Sequence, residues 1–370
     1  MEYDFLVVGA GLYGSVFAQQ AKEAGKSVKV IEKRPHLGGL CGSYVSPDTG
    51  IVVYQYGSHI FHCSAKATWE YVNRFTDFNR FELHARTKYR GRTYPIPISL
   101  GTLNSFFGLS LEPREVEAFL ASKRVNIPCP SNFEEKAQSL MGVELYEAFF
   151  KGYATKQWGC DLKELPASLI MRLPFRSSYN GAYFNDYYQG VPLGGYAPMF
   201  DKMLAGIPVE LGVDFLADKE YWQKQAHTVV YTGPIDRFFE HRLGRLGWRS
   251  VRFELSQLDV EDFQGVGVMN YPDTDVLFTR IHEFKHLHPE LYYYRPGTTI
   301  ISREYPYSNN EEQDYPINTE ADKLVYLAYK SLAMEEEPNV IFGGRLAEYH
   351  YYNMDGVVEA ALARVRQSRV

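Results

Sequence analysis

The first forty residues alternate between apolar and polar stretches in an order that predicts a strand, a helix and a second strand. Residues 5–8 are an apolar run followed by glycine, residues 12–24 have helical spacing closed by Gly25, and residues 27–31 have the pattern of a second strand. This order is typical of the βαβ unit that begins a parallel sheet.

The pattern changes twice further along the chain. Between about residues 100 and 170 it becomes helical, and Ser131-Asn132-Phe133-Glu134 resembles a capping box that begins a long amphipathic stretch toward Phe150. Residues 244–305 contain short β segments interrupted by proline. The apolar runs 228–231 and 340–342 end in glycine as the first strand does, which suits a close approach of the backbone to a ligand. We therefore expect a discontinuous parallel-sheet domain with inserts.

Composition narrows the classes of partner. The formal net charge of −6 gives no general attraction to nucleic acid or to an anionic membrane surface. The four cysteines form no CxxC pair, and no leader-like or membrane-spanning apolar segment is evident, so we expect free thiols and a cytoplasmic protein. The 29 tyrosines and 23 phenylalanines suit cavities that stack a ring and hydrogen-bond polar groups, although core packing explains most of them.

Gly9-Ala10-Gly11-Leu12-Tyr13-Gly14 is a GxGxxG dinucleotide fingerprint. In such a motif Gly9 permits the tight turn, Gly11 lets the backbone approach a pyrophosphate, and Gly14 lets the helix pack on the strand. Glu32, at the end of the second strand, can accept a hydrogen bond from a ribose hydroxyl and would repel a 2′-phosphate. Together with Gly38-Gly39, these residues resemble the FAD-binding form of the motif.

Histidines offer two candidate sites. His59 and His62, in the segment GSHIFH, could contact a flavin ring if this segment is a loop over the cofactor, and a structural role is the alternative. His282, His286 and His288 could suggest a metal, but Pro289 follows at once and no cysteine or acid has metal-ligand spacing. We therefore predict no metal site.

Arginines and aromatic residues indicate an anionic ligand with a ring. An acidic protein that binds a sugar diphosphate needs a local group of guanidinium side chains, although a surface ion pair is the alternative for each one. The candidates are Arg172, Arg249, Arg280 and Arg345. Residues 151–159, 180–188 and 349–355 combine aromatic and amide groups suited to a nucleotide or sugar. For residues 151–159 the alternative is a helix end with Trp158 packed inward, which is the commoner outcome for tryptophan.

Taken together, the motifs resemble the bacterial UDP-galactopyranose mutase family over nearly the whole chain. The strings that carry the resemblance are GAGLYG, GSHIFH, KGYATKQWG, YFNDYYQG, TGPID, MNY, DYPIN and GGRLAEYHYYNMD. The resemblance implies an α/β fold made of a Rossmann-like FAD-binding domain (1–78, 192–243 and 317–370), a helical domain (98–178) with a mobile loop at 166–176, and a twisted antiparallel sheet domain (79–97, 179–191 and 244–316). It also implies a homodimer.

The resemblance assigns roles to particular residues. Arg172 and Arg280 match the diphosphate-binding arginines, and His59 and His62 match histidines near the flavin, so these four are the expected catalytic residues. The remaining substrate contacts implied are Phe149, Tyr153, Trp158, Tyr183, Phe184, Arg249, Asn270, Tyr315, Tyr351 and Asn353. The cofactor contacts implied are Gly9, Gly11, Gly14, Glu32, Lys33, Gly38, Gly39, Leu40, His59, Ile60, Arg345 and Met354.

The activity implied is the interconversion of UDP-galactopyranose and UDP-galactofuranose. In this family N5 of the reduced flavin attacks the anomeric carbon and UDP leaves, with NADH or NADPH as reductant. The chain departs from the family pattern at Leu40, Leu83 and Asn353, which leaves a modified UDP-hexose open as substrate. An amine-oxidase-like flavin oxidoreductase and a binding protein without catalysis are also compatible with the sequence.

Overall fold

The apolar runs and periodic stretches become strands and helices close to the predicted positions. A computed structural model describes residues 1–172, 175–291, 296–308 and 312–368, without the side chains of residues 171 and 172. The strands are β1 (Tyr3–Val8), β2 (Val28–Glu32), β3 (Ser43–Val45), β4 (Val52–Tyr54), β5 (Phe61–Cys63), β6 (Arg86–Tyr89), β7 (Arg92–Pro95), β8 (Tyr188–Gly190), β9 (Val209–Leu211), β10 (Ala226–Tyr231), β11 (Trp248–Leu258), β12 (Val268–Asn270), β13 (Arg280–Glu283), β14 (Thr299–Tyr307), β15 (Tyr315–Pro316) and β16 (Val340–Phe342).

The helices fall mainly in three stretches of the chain. They are α1 (Leu12–Glu23), α2 (Lys66–Val72), α3 (Leu100–Phe107), α4 (Val116–Lys123), α5 (Phe133–Leu145), α6 (Gly152–Trp158), α7 (Ala197–Met203), α8 (Lys219–Gln223), α9 (Ile235–Phe238), α10 (Glu320–Glu336) and α11 (Met354–Gln367). Among the described residues, no helix combines the length and apolar character needed to cross a membrane.

A parallel sheet with the order β16-β10-β1-β2-β9 carries the fingerprint turn. Successive side chains of a strand point to opposite faces. Val7 of β1 therefore packs in one cluster with Val16 and Phe17 of α1, whereas Leu6 packs in another with Phe238. Because both faces are covered, the strands are continuous apolar runs, as the sequence predicts.

The second large sheet has the order β15-β11-β14-β13-β12-β6-β7. Its pairs are antiparallel except β12 with β6, which run parallel. The sheet is therefore mixed rather than purely antiparallel. The parallel pair is possible because the whole helical insert separates β6 from β12 along the chain, which gives the long crossover that parallel strands need.

The helical insert differs from the single long helix predicted after the capping box. The N-cap is Asn132, whose side chain accepts from the Glu135 N–H, and α5 is interrupted at Gly142, where φ is 81°. A Cβ at Gly142 would lie 2.4 Å from the carbonyl oxygen of Lys123, so only glycine lets α5 pack on the preceding helix. A π-helical segment (Tyr146–Lys151) then leads into α6 and changes its direction.

Asp314 lies where the mixed sheet meets the parallel-sheet domain. Its carboxylate is 8% exposed and accepts from the Val251 N–H at 2.8 Å, while Nη1 of Arg345 donates to its carbonyl oxygen at 3.2 Å. Burial raises the pKa of Asp314 to about 6. The folded protein therefore holds this proton more tightly than the unfolded chain does.

We expect Asp314→Asn to stabilise the fold at pH 8 by about 1 to 2 kcal/mol, because the amide avoids the cost of a buried charge and can still accept from Val251. Between the unfolded pKa of 3.8 and the folded value of about 6, the stability of the native chain falls as pH rises. Urea unfolding at pH 8 and pH 5 should show the gain shrinking at the lower pH. The exposed Asp48→Asn variant is the control, and an equal gain at both pH values would contradict the assignment.

Candidate active site

The fingerprint turn between β1 and α1 forms an open cradle. Gly9 has a φ of 106°, and a Cβ at Gly14 would lie 2.0 Å from the carbonyl oxygen of Gly9, so both positions require glycine. A Cβ at Gly11 would meet only the Cα of Gly39, at 4.0 Å. Gly11 is also the N-cap of α1 and makes no side-chain cap, so the helix N-terminus is open to a phosphate.

Glu32 and Gly38-Gly39 complete the cradle. The buried Glu32 carboxylate accepts from the N–H of Ala10 and from the N–H of Arg34, both at 2.8 Å. Gly38 and Gly39 have positive φ, and the Gly38 N–H donates to the carbonyl of Ala10. These contacts fix the carboxylate beside the turn, where a dinucleotide ribose would lie, and the residues present fit that group.

The glycines after β16 leave room for a side chain of the fingerprint helix. A Cβ at Gly343 would lie 2.2 Å from the hydroxyl oxygen of Tyr13, and one at Gly344 would lie 3.1 Å from Cβ of Tyr13. The two glycines therefore let Tyr13 pack against the backbone that follows β16. Their expected close approach to a ligand stays a prediction.

The GSHIFH segment places its two histidines in different surroundings. His59 Nδ1 donates to the carbonyl of Gly57 at 2.9 Å, and burial lowers the pKa of His59 to about 4, so its Nε2 is an acceptor at neutral pH. The His59 carbonyl accepts from the hydroxyl of Tyr196, which also contacts Sδ of Met354. Ile60 beside it is buried.

His62, on β5, belongs to a separate contact. Its Nδ1 lies 2.6 Å from the carboxylate of Asp186, and its ring stacks on Phe184 with the centroids 3.8 Å apart. Phe184 is thereby held against His62 instead of lining the cavity described next. Asp186 also accepts from Ser64, which fixes the carboxylate.

A cavity lies between α6 and the mixed sheet and gathers most of the expected substrate residues. Its described lining consists of Phe133, Phe150, Tyr153, Ala154, Gln157, Trp158, Leu169, Ile170, Tyr183, Arg280, Glu304, Tyr315 and Tyr351. Aromatic faces from the helix therefore oppose a guanidinium from the sheet, an arrangement suited to a ring joined to an anion.

A buried carboxylate that the sequence analysis missed sits beside Arg280. Glu304 Oε2 is 3.7 Å from Nη1 of Arg280 and 3.1 Å from Nε2 of His282, and its Oε1 accepts from the hydroxyl of Thr279. Burial alone would raise the pKa of Glu304, but Arg280 and His282 hold it at about 2. One feature of the sequence could have indicated Glu304. It lies two residues after Ser302 on β14, so the two side chains point to the same, buried face of the strand.

His282 connects this carboxylate to the GSHIFH segment. Its Nδ1 lies 3.3 Å from the Ser58 backbone nitrogen and 2.9 Å from the Ser58 hydroxyl. Because a backbone N–H can only donate, Nδ1 is the acceptor and the proton of a neutral His282 is on Nε2, directed at Glu304. A continuous chain of hydrogen bonds therefore runs from the predicted cofactor loop to the Arg280 ion pair.

Buried polar atoms around Arg280 lack partners. Within the part of the chain that the structure describes, no hydrogen bond satisfies the Tyr153 hydroxyl, Gln157 Oε1, Asn270 Oδ1 or Arg280 Nε. Native proteins pair the great majority of such atoms, because each one left unpaired costs about 1 to 3 kcal/mol. Their concentration around one guanidinium indicates a polar ligand.

Arg345 joins the two parts of the site. Its guanidinium lies over the rings of Tyr315 at 5.3 Å and Tyr351 at 5.9 Å, both of which line the cavity. Its charge also acts on the GSHIFH segment, where, after burial, it further lowers the pKa of His59. The charge of Arg345 therefore acts both on the cavity and on the GSHIFH segment.

The other expected site residues lie elsewhere. Arg249 donates to the carbonyls of Lys156 and Gln157, both at 2.9 Å, so it holds the end of α6. Phe149 packs against Tyr89, and its neighbour Phe150 lines the cavity. Asn353 makes no capping hydrogen bond at the start of α11. Lys33 is exposed, Leu40 is half-buried and Leu83 is buried in the core. Arg172 ends a 3₁₀ segment, and its side chain is outside the described residues, as are residues 173–174 of the predicted loop.

The three histidines considered for a metal do not converge on one site. His282 contacts Glu304, His288 contacts Tyr54 and Glu290, and His286 lies near Asp262 and Glu283. The carboxylate of Glu283 already accepts from two backbone N–H groups and from the hydroxyl of Thr299. These contacts are those of a structural ion-pair cluster.

Comparisons with known proteins agree over most of the chain. A family profile described as UDP-galactopyranose mutase matches residues 148–351, and one described as an NAD(P)-binding Rossmann-like domain matches residues 7–75. A probable UDP-galactopyranose mutase of Klebsiella pneumoniae is 38% identical, with 97% of this chain and 93% of that protein covered. A dTDP-fucopyranose mutase of Escherichia coli is 34% identical, with 96% of each covered.

Solved structures share the fold at lower identity. A reduced UDP-galactopyranose mutase superposes with a TM-score of 0.80 at 14% identity, covering 99% of this chain and 95% of that one. A putrescine oxidase variant superposes with a TM-score of 0.62 at 12% identity, covering 99% of each chain. The fold is therefore common to proteins with different activities, and the side chains of the site must discriminate between them.

We expect Gly11→Ala and Gly14→Ala to fail in different ways. The Gly11 Cβ would enter open space where a pyrophosphate would approach. The Gly11→Ala variant should therefore have the melting temperature of the flavin-free wild type, and it should be purified without yellow flavin absorbance. The Gly14 Cβ would collide with the Gly9 carbonyl, so that variant should lose stability even in the flavin-free protein. Thermal unfolding of flavin-free samples and the flavin-to-protein absorbance ratio are the measurements. Full flavin content in Gly11→Ala would refute the placement of the cradle.

Proposed function

Because this chain belongs to the UDP-galactopyranose mutase family, we propose that it interconverts UDP-galactopyranose and UDP-galactofuranose with bound FAD. The observation that carries the proposal is the set of unpaired buried polar atoms around Arg280, which faces aromatic residues of α6. A guanidinium beside stacking rings matches a diphosphate joined to uracil.

Different residues of the cavity would bind different parts of the ligand. Arg280, with Arg172 from the neighbouring segment, would neutralise the diphosphate and stabilise the charge that develops when UDP leaves. Tyr153, Trp158 and Tyr183 would surround the nucleoside, and the hydroxyls of Tyr315 and Tyr351 would donate to phosphate oxygens. Glu304 would prevent Arg280 from turning away from the ligand, because the ion pair fixes the guanidinium on one side.

The cradle would hold FAD through Gly9, Gly11, Glu32, Gly38 and Gly39, with Arg345 between the cofactor and the tyrosines. When bound and reduced, FAD supplies the nucleophile for the anomeric carbon. His59 would present its Nε2 as an acceptor toward the cofactor. The proposal includes reduction by NADH or NADPH, a homodimer and a cytoplasmic location.

A second candidate is the same rearrangement on another nucleotide-linked hexose, such as a 6-deoxyhexose. It is favoured by the 34% identity to the dTDP-fucopyranose mutase along 96% of this chain. Asn353 is exposed and makes no capping contact, so its amide is available to a sugar. A neutral amide there would select sugar hydroxyls differently from the aspartate common in the family.

We expect turnover only after dithionite reduction of the holoenzyme. The test incubates reduced and oxidised samples with UDP-galactose, an N-acetylated UDP-hexose and dTDP-fucose, and separates pyranose from furanose products by chromatography. UDP-galactose should give the highest kcat/KM. Sustained reduction of oxidised flavin by a substrate would indicate an oxidoreductase, and conversion by fully oxidised enzyme would contradict the proposed chemistry.

Arg280→Ala and Arg172→Ala should each lower turnover at least tenfold, because each removes a charge-assisted contact of about 1.5 to 3 kcal/mol to the diphosphate. Steady-state kinetics of the reduced enzyme provide the measurement. Arg252→Ala is the matched control, since Arg252 is an exposed arginine on β11 that pairs with Glu254. Rates near wild type in both test variants would overturn the assignment.

A further inference from the structure

Lys156 places its ammonium group inside the loop that joins β12 to β13. The Nζ atom lies within hydrogen-bond distance of the backbone carbonyls of Tyr271 at 2.6 Å, Asp273 at 2.9 Å, Val276 at 2.8 Å and Phe278 at 2.9 Å, so its three N–H donors serve four acceptors and at least one proton is shared between two carbonyls. One side chain on α6 therefore binds four carbonyls of a loop more than a hundred residues away in sequence.

Such a convergence requires a cation. Carbonyl dipoles that point at one centre repel each other, and a positive charge at the centre turns that repulsion into attraction. Burial lowers the pKa of Lys156 to about 8, and the negative charges of Asp273 and Asp275 in the loop oppose part of that shift, so the amine is mostly protonated at neutral pH. The ammonium group therefore organises the loop around itself, as a monovalent cation bound by backbone oxygens would.

The helix and the loop are also in direct backbone contact. A Cβ at Gly152 would lie 2.1 Å from the carbonyl oxygen of Pro272, so no side chain separates α6 from the loop. Arg249 binds the carbonyls of Lys156 and Gln157 from the other side. Lys156 thus projects from a helix end that is held in place, and its position can determine that of the loop.

The loop is flanked by Asn270 and by Arg280, and Arg280 lines the cavity. Asn270 is the last residue of β12 and Arg280 the first of β13, and the two are paired across the strands. The opposite wall is α6 itself, with Tyr153 and Trp158, and the Arg280 guanidinium lies 5.5 Å from the Tyr153 ring. The ammonium group of Lys156 therefore connects the side of the cavity formed by α6, with Tyr153 and Trp158, to the side that carries Arg280.

We propose that Lys156 is a positioning residue whose ammonium sets the spacing between α6 and the β12–β13 hairpin, and so places Arg280 to receive the diphosphate. The inference rests on the proposed function for the identity of the ligand. It predicts that loss of the ammonium weakens recognition of phosphates and leaves recognition of the nucleoside unchanged.

The test compares UDP with uridine as ligands of the FAD-loaded protein by calorimetry. Lys156→Ala should weaken UDP binding at least tenfold and change uridine binding less than twofold. Lys151→Ala is the matched control, because Lys151 lies five residues earlier, is exposed and pairs only loosely with Glu147 at 3.4 Å, so both affinities should stay within twofold of wild type. Equal losses for UDP and uridine in Lys156→Ala would show general support of the cavity and overturn the proposal.

Chemical rescue gives an independent readout. Propylammonium replaces the part of the side chain that Lys156→Ala removes, so it should restore UDP affinity in that variant to within threefold of wild type. Sodium chloride at equal ionic strength should not, and Lys156→Met, which fills the same channel, should not respond. Absence of rescue in Lys156→Ala would contradict the proposal that the ammonium group organises the loop.

A further variant covers the case in which Lys156→Ala does not fold. Lys156→Gln retains two N–H donors without the charge. It should bind UDP several-fold more weakly than wild type and uridine with the wild-type affinity. Unchanged UDP affinity in this variant would overturn the proposal. If wild-type protein binds uridine and UDP equally, the proposed function fails. If wild type prefers UDP and the Lys156 variants keep the same ratio of UDP to uridine affinity, only the present inference fails.

Discussion

The arrangement of the site depends on the ion pair between Arg280 and the buried carboxylate of Glu304. Burying the Glu304 charge alone would cost several kcal/mol, so it requires Arg280 and further hydrogen bonds. Thr279 and His282 supply those bonds to the carboxylate, and Ser58 fixes the tautomer of His282. As a result, the strand that carries Arg280 cannot move without disturbing the GSHIFH segment. The predicted cofactor loop and the anion-binding group are thereby mechanically coupled.

The fold supplies the frame in which this coupling is useful. The parallel sheet carries the fingerprint turn, and the mixed sheet places Arg280 of β13 and Glu304 of β14 in the cavity opposite α6. Arg345, which follows β16, lies near both the cavity and the GSHIFH segment, because its guanidinium covers the rings of Tyr315 and Tyr351 while its charge lowers the pKa of His59.

Residues with local signals were the most predictable from the sequence. The strand–turn–helix pattern and its glycines could be read directly, because Gly9 and Gly14 satisfy constraints within the turn itself. Residues whose roles depend on distant partners were not. Glu304 acts through His282 and Ser58, and Arg249 donates to the carbonyls at the end of α6. The glycines after β16 illustrate the same limit, since the clearance they provide is for Tyr13, far away in sequence.

The charges of the cavity decide between activities that the fold alone permits. A putrescine oxidase variant shares the architecture, but an amine substrate would bring a cation against Arg280. Two positive charges about 4 Å apart repel by about 4 kcal/mol at the dielectric typical of a protein site. Glu304 offsets part of this repulsion, but its carboxylate is already paired with Arg280 and accepts from Thr279 and His282. An anion, in contrast, pairs with Arg280 and can satisfy its buried Nε together with the hydroxyl of Tyr153. The electrostatics therefore favour a phosphorylated ligand over an amine.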